Sequence, residues 1–131
     1  MTKKKQDIII VGAGPIGCYC AQLFKNKGID TLLIEEHQEL GRPVHCAGLV
    51  GKKVIDEMRI SFPAGCILNT INGGQAYLDG QTMVLSRRDV ACVIDREKFD
   101  KAMGKGLNIR FGTKCLGIEE NKHHYILETD P

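Results

Sequence analysis

Gly12-Ala13-Gly14-Pro15-Ile16-Gly17 constrains this chain more than any other stretch, because of what stands on either side of it. Before it runs Ile8-Ile9-Ile10-Val11, a short β-branched segment of the kind buried on both faces of a parallel sheet. After it, Pro15 suits a first helical turn, where a missing N–H is no loss. Ile16, Cys20 and Phe24 then fall on one helical face, and Gly28 stops the helix. A second apolar run, Leu32-Leu33-Ile34, delivers Glu35 at its carboxyl end. Strand, glycine turn, helix and strand in this order predict a βαβ unit of a Rossmann-type α/β domain.

Each glycine has its own task in such a turn when it grips a pyrophosphate. Gly12 permits the tight bend, Gly14 lets the backbone approach the phosphates, and Gly17, with Ala21 at the next small position, lets helix and strand pack closely. The anion sits on the helix N-terminus, where unpaired N–H groups and the positive end of the dipole favour it. Glu35 lies 18 residues beyond Gly17, where the following strand ends beside the ribose. Its carboxylate accepts from ribose hydroxyls and repels a 2′-phosphate, which argues against an NADP-type adenosine half.

The chain has 131 residues, enough for one modest core, and its 43% apolar and 26% charged composition is that of an ordinary globular domain. A net charge of +2 provides no strong field for nucleic acid or an anionic membrane, and Lys3-Lys4-Lys5 reads as a solvated tail. No signal peptide is visible, and no stretch reaches the roughly 18 apolar residues of a membrane span. A cytoplasmic protein is expected. Cys18, Cys20, Cys46, Cys66, Cys92 and Cys115 form no C-x-x-C pair and suit a reducing compartment. His37, His45, His123 and His124 lack zinc-ligand spacing, so no metal is expected.

Beyond Glu35 the chain reads Glu39-Leu40-Gly41-Arg42-Pro43-Val44-His45-Cys46-Ala47-Gly48, a glycine- and proline-rich loop on the ligand-binding edge of the sheet. With G-x-G-P-x-G and L-L-I-E before it, and Ile94-Asp95-Arg96-Glu97-Lys98-Phe99-Asp100 after it, this sequence resembles the N-terminal FAD domain of the geranylgeranyl reductase family, especially its archaeal members. The resemblance implies FAD as cofactor. It implies Gly12, Gly14, Pro15, Ile16, Gly17, Glu35, Glu36, Arg42 and Pro43 as cofactor-binding positions. Cys46, Ala47 and Gly48 would lie beside the flavin, Arg96 on the dinucleotide, and the backbone near Cys115 by the adenine. Cys46 is as readily a small turn residue, and its thiol is a weak candidate for a part in the chemistry. Leu49 stands where members often have a second glycine.

Residues 49–58 show the i, i+3, i+4 pattern of an amphipathic helix through Val54, Ile55 and Met58, ended by Arg59 to Pro63. Ile67 to Ile71, Gln75 to Leu78 and Thr82 to Leu85 read as three short strands turned at Asn72-Gly73-Gly74 and at Asp79-Gly80, an antiparallel insertion over 64–90. Asp95 is a candidate N-cap for a short helix, which Gly104 and Gly106 erode at roughly 1 kcal/mol each. A third parallel strand is expected at 107–111, then two strands, 113–118 and 125–127, around Glu119 to Lys122.

The whole, 1–131, is expected to be a single partial FAD-binding domain. The implied reaction is hydride transfer from reduced flavin to the double bonds of an isoprenoid lipid, with an external electron donor. Any peripheral membrane association belongs to the full-length family. A related flavin monooxygenase and a non-catalytic dinucleotide-binding module are the alternative readings. Because family members are much longer, this chain alone is expected to hold flavin weakly, to self-associate through the edge of its first strand, and to be inactive.

Overall fold

The computed structural model describes residues 6–59 and 61–130, without the side chain of Met58. The Lys3-Lys4-Lys5 cluster, Ile60 and Pro131 lie outside the described residues. The chain forms two compact units, Met1–Arg42 with Asp100–Pro131, and Pro43–Phe99. The fold class is α/β, as expected.

The first unit is built on strand β1 (Ile8–Val11), helix α1 (Pro15–Asn26) and strand β2 (Thr31–Ile34). β1 and β2 are parallel in the register Ile8↔Thr31 to Val11↔Ile34. A further strand of this sheet, Ile109–Arg110, lies parallel on the other side of β2, so among the described residues β2 is central and β1 is an edge. Burial follows position: all of β2 is buried, with Leu33 fully so, whereas Val11 is 52% exposed. The expectation of a first strand covered on both faces is thus corrected, because the burial falls on β2.

The buried side of α1 also differs from the expected one. Cys18 and Ala21 are buried, whereas Ile16 is 69% exposed. The reason is Gly17: the helix lies so close to the turn that a Cβ there would stand 2.0 Å from the carbonyl oxygen of Gly12. Only the small residues of the 17, 18, 21 side fit against the sheet.

In the second unit, strand β3 (Leu49–Gly51) precedes helix α2 (Lys52–Met58). The amphipathic pattern at 49–58 therefore begins as strand, held by pairing Leu49↔Val93 to Gly51↔Ala91. Its helical part buries Ile55 and ends at Arg59, a left-handed cap with φ 52°. Strands β4 (Ile67–Leu78) and β5 (Gln81–Ile94) form one long hairpin in place of three short strands. Its turn is Asp79-Gly80, both with positive φ as a two-residue type I′ loop requires. Asn72-Gly73-Gly74 is an irregularity within β4. Between the pairs Ile71↔Ala91 and Gly73↔Ser86, Asn72 alone faces Arg87, Arg88, Asp89 and Val90, and its side-chain oxygen accepts the Asp89 N–H at 3.0 Å.

Helix α3 (Arg96–Met103) starts at Asp95, whose carboxylate accepts the Lys98 N–H at 3.1 Å as the N-cap reading requires. Its last turn and the strand β6 (Ile109–Arg110) belong to the first unit. Gly104 is buried there, where a Cβ would stand 2.1 Å from the Leu40 side chain, so this glycine serves packing as well as ending a helix. From α1, Gln22 donates to the Met103 carbonyl at 2.5 Å and Lys25 to the Gly106 carbonyl at 2.7 Å. Strands β7 (Lys114–Asn121) and β8 (His124–Asp130) form a hairpin with Lys122-His123 as its loop, so that Glu119, Glu120 and Asn121 of the expected turn are paired strand. Among the described residues no helix is long and apolar enough to cross a membrane.

Gly17→Ala is expected to lower the unfolding free energy by roughly 2–3 kcal/mol, since the obstruction is backbone and cannot swing away. Gly14→Ala, whose Cβ meets no protein atom within 4 Å, should stay within about 0.5 kcal/mol of the parent. Urea unfolding of the two variants checks this. Equal losses would remove the close helix–turn contact from the account.

Candidate functional site

The turn between β1 and α1 is stitched to the end of β2. Gly12, at φ 92°, donates its N–H to the Ile34 carbonyl at 2.8 Å. Ala13 donates to Glu35 Oε2 at 2.8 Å. The bend that allows both bonds is open to glycine and strained for any other residue. Gly14 is the N-cap of α1 in an extended conformation, with no side-chain cap and Pro15 at the first helical position. No acidic residue occupies the first turn. The helix therefore presents its first N–H groups and the positive end of its dipole without a carboxylate of its own first turn on them.

Beneath the turn, Cys18 donates its thiol to the Ala13 carbonyl at 3.1 Å. Burial, then the carboxylates of Asp100 and Glu35, push this thiol up to about 11, so it remains a donor and supports the turn from inside.

Glu35 is a charge held from several sides. Burial alone would raise its carboxyl, but the N–H groups of Ala13 and His37 and the His37 ring outweigh that and hold it below its ordinary value. Oε1 receives the His37 N–H at 3.1 Å and the His37 Nδ1 at 2.6 Å. The Glu35 backbone is fixed too, its N–H on the Arg110 carbonyl and its carbonyl on the Thr113 N–H, at 2.9 and 2.8 Å. Sequence reasoning that weighs His37 only as a metal ligand misses it. The signal that finds it is its place two residues after Glu35, near enough for the bend that follows β2 to bring its N–H and ring onto the carboxylate.

Of the expected site residues, the first unit brings Gly12, Gly14, Pro15, Ile16, Gly17 and Glu35 together around the turn. Cys115 stands two residues beyond Thr113, whose N–H is on the Glu35 carbonyl, and its own thiol turns to the Gly117 carbonyl at 3.6 Å. Glu36 and Arg42 are exposed, Glu36 in an ion pair with Lys114 at 3.5 Å and Arg42 with Glu39 at 3.8 Å. Pro43, Cys46, Ala47, Gly48 and Arg96 belong to the second unit. There Cys46 is exposed and accepts the Gly48 N–H at 3.4 Å. Gly48 is buried, accepts the Ile94 N–H at 2.9 Å, and has no room for a Cβ, which would stand 2.4 Å from the Ile94 carbonyl oxygen. Gly48 is therefore required by the fold of its own unit.

The family described as the NAD(P)-binding Rossmann-like domain matches residues 10–76, which contain the turn, α1, β2 and Glu35. The chain belongs to that family. It is also 32% identical over 122 residues to digeranylgeranylglycerophospholipid reductase of Methanosarcina acetivorans, covering 86% of this chain and 30% of that protein. Against the reductase of the same name from Methanothrix thermoacetophila the identity is 35% over 122 residues, covering 86% and 31%. Among solved structures, a geranylgeranyl bacteriochlorophyll reductase-like protein of Thermoplasma acidophilum superposes with a TM-score of 0.82 at 26% identity, over 94% of this chain and 34% of that one. The resemblance to geranylgeranyl reductases is borne out, and the chain spans about a third of the length of the curated relatives it matches.

Because the Glu35 carboxyl is held low in the folded protein, its contribution to stability is present above the ordinary carboxylate value of about 4.3 and is lost as pH falls through the folded value. The parent should therefore be more stable than Glu35→Gln near neutral pH, with the gap closing in acid. Urea unfolding across that range checks it. A gap of constant size would deny Glu35 its place in the pH dependence.

Proposed function

We propose that this chain holds the adenosine-diphosphate half of FAD on the turn from Gly12 to Gly17, with Glu35 on the ribose, as part of a flavin-dependent oxidoreductase of the geranylgeranyl reductase kind. One observation carries this most directly: Gly14 has an ordinary φ of −67° and a Cβ there would meet no protein atom, so neither strain nor packing requires glycine at that place. A ligand pressed against the backbone does require it. The donor set fits such a ligand. An uncapped helix start suits the pyrophosphate, and an ionised carboxylate at the end of β2 suits a ribose with unsubstituted hydroxyls.

In this proposal the backbone N–H groups at the start of α1 bind the phosphates, Glu35 orients the ribose, and the stretch from Thr113 to Cys115 runs by the adenine. Pro43, Cys46, Ala47, Gly48 and Arg96 are proposed for the flavin on their match to the family's motifs. When bound, the flavin supplies the hydride for carbon–carbon double bonds, and the names of the relatives support an isoprenoid lipid as the substrate class. We further propose that residues 1–131 are one part of an FAD-binding domain, with 64–90 as an insertion in it, and that the protein is cytoplasmic.

Isothermal calorimetry with ADP tests the proposal. The parent should bind, and Gly14→Val should lose binding by about a hundredfold or more while unfolding at the parent's temperature, because its side chain fills the ligand's place. Glu35→Ala should weaken ADP by about tenfold and narrow the gap between ADP and 2′-phospho-ADP. Unchanged ADP binding by Gly14→Val would sink the phosphate assignment, and equal losses for both nucleotides in Glu35→Ala would sink the ribose one.

A further inference from the structure

The Glu35 carboxylate is less available than a bare ribose-binding acid would be. An ionised carboxylate accepts at about four lone-pair positions and donates at none. Three protein donors already reach it: the Ala13 N–H on Oε2, and both the backbone N–H and the ring Nδ1 of His37 on Oε1. Since the carboxyl is held in its charged form, the short Nδ1 contact requires the proton on Nδ1, which fixes the ring's tautomer at that nitrogen. His37 is itself held in place, because its carbonyl accepts the Gly112 N–H at 3.0 Å. Next to it in the chain, Glu36 pairs with Lys114 at 3.5 Å.

We propose that His37 is a positioning residue for nucleotide recognition. It occupies Oε1 twice and so turns Glu35 to present Oε2 alone, leaving one acceptor position for a single ribose hydroxyl. The ribose is then held through one hydroxyl at a defined angle, in place of a bidentate grip by both carboxylate oxygens. A nucleotide carrying a phosphate on that ribose meets a carboxylate that cannot rotate away, so discrimination against it belongs to the His37–Glu35 pair and not to Glu35 alone.

This inference rests on the nucleotide assignment proposed above, and two measurements separate its failure from that one's. The first uses no nucleotide. Carbon-13 NMR of the Glu35 carboxyl in the ligand-free protein follows its titration in the parent, His37→Asn and His37→Phe. The Asn side chain can supply an N–H near the place of Nδ1, whereas Phe fills the ring's space without a donor. The titration midpoint should rise in His37→Phe and stay near the parent's in His37→Asn. The second is calorimetry with ADP and 2′-phospho-ADP. His37→Phe should bind ADP about five- to tenfold more weakly and lose most of the preference for ADP, and His37→Asn should keep both within about threefold. A Glu35 midpoint unmoved in His37→Phe, or an ADP preference unchanged in it, overturns the proposal. A parent that fails to bind ADP overturns the nucleotide assignment and with it the recognition role of His37, while the titration still decides whether His37 holds Glu35.

Discussion

The bond from the Ala13 N–H to Glu35 Oε2 is the interaction on which the site depends, because it joins the two pieces of backbone that would share a nucleotide. One is the turn after an edge strand, and the other is the carboxyl end of the buried central strand. The Gly12 N–H on the Ile34 carbonyl ties the turn to β2 a second time. With the Ala13 bond, the glycine bend is held by a charge. Hydrogen bonds to charged acceptors are worth roughly 1.5–3 kcal/mol, about twice a neutral one. Helix packing then leans on the same place. Gly17 lets α1 lie against the Gly12 carbonyl, and the Cys18 thiol occupies the Ala13 carbonyl from beneath. The carbonyls of the turn are thereby engaged from the protein's side, and the N–H groups at the helix start are the ones left to face outward.

Much of this was legible in the residues because it is local. The glycine spacing, the apolar runs and the acid at the end of the second run lie within 30 consecutive positions and settle a βαβ unit with little help from the rest. The side of α1 that is buried was not legible from hydrophobicity, since Ile16 and Phe24 outweigh Gly17, Cys18 and Ala21 on any apolar scale. What decides is how near the helix can come to the turn, and at position 17 only the absence of a Cβ allows it, since one would stand 2.0 Å from the Gly12 carbonyl oxygen. One turn too many was expected within 67–85, for a different reason. Two glycine turn signals stand a few residues apart, and a hairpin uses only one. Asp79-Gly80 has the length and the positive φ angles of a tight loop, while Asn72 turns its amide to a bulge in the opposite strand. Such a choice depends on strand register, which is set by pairing 20 residues away.

His37 marks the limit of motif reasoning within the site itself. The glycine motif names the acid and says nothing of what orients it. An acid two residues from a histidine is an unremarkable pair until the chain is seen to bend there and the Gly112 N–H to hold the histidine's backbone. Gly48 shows the converse: a residue assigned to a cofactor by resemblance turns out to be demanded by the Ile94 carbonyl of its own unit. A glycine in a binding motif can serve the fold, the ligand or both, and the space around its missing Cβ separates these cases. By that test Gly17 and Gly48 serve the fold, and at Gly14 neither strain nor packing requires a glycine.

The central claim is that a nucleotide's phosphates and ribose are received by the turn and the acid together. Amide chemical-shift mapping of the isotopically labelled protein during titration with ADP tests it most directly. The account predicts the largest shifts at Gly14, Ile16 and Gly17, at Glu35 to His37, and at Gly112 to Cys115, with one common affinity. Shifts that spare Gly14 to Gly17, or that report different affinities at the turn and at Glu35, would contradict it.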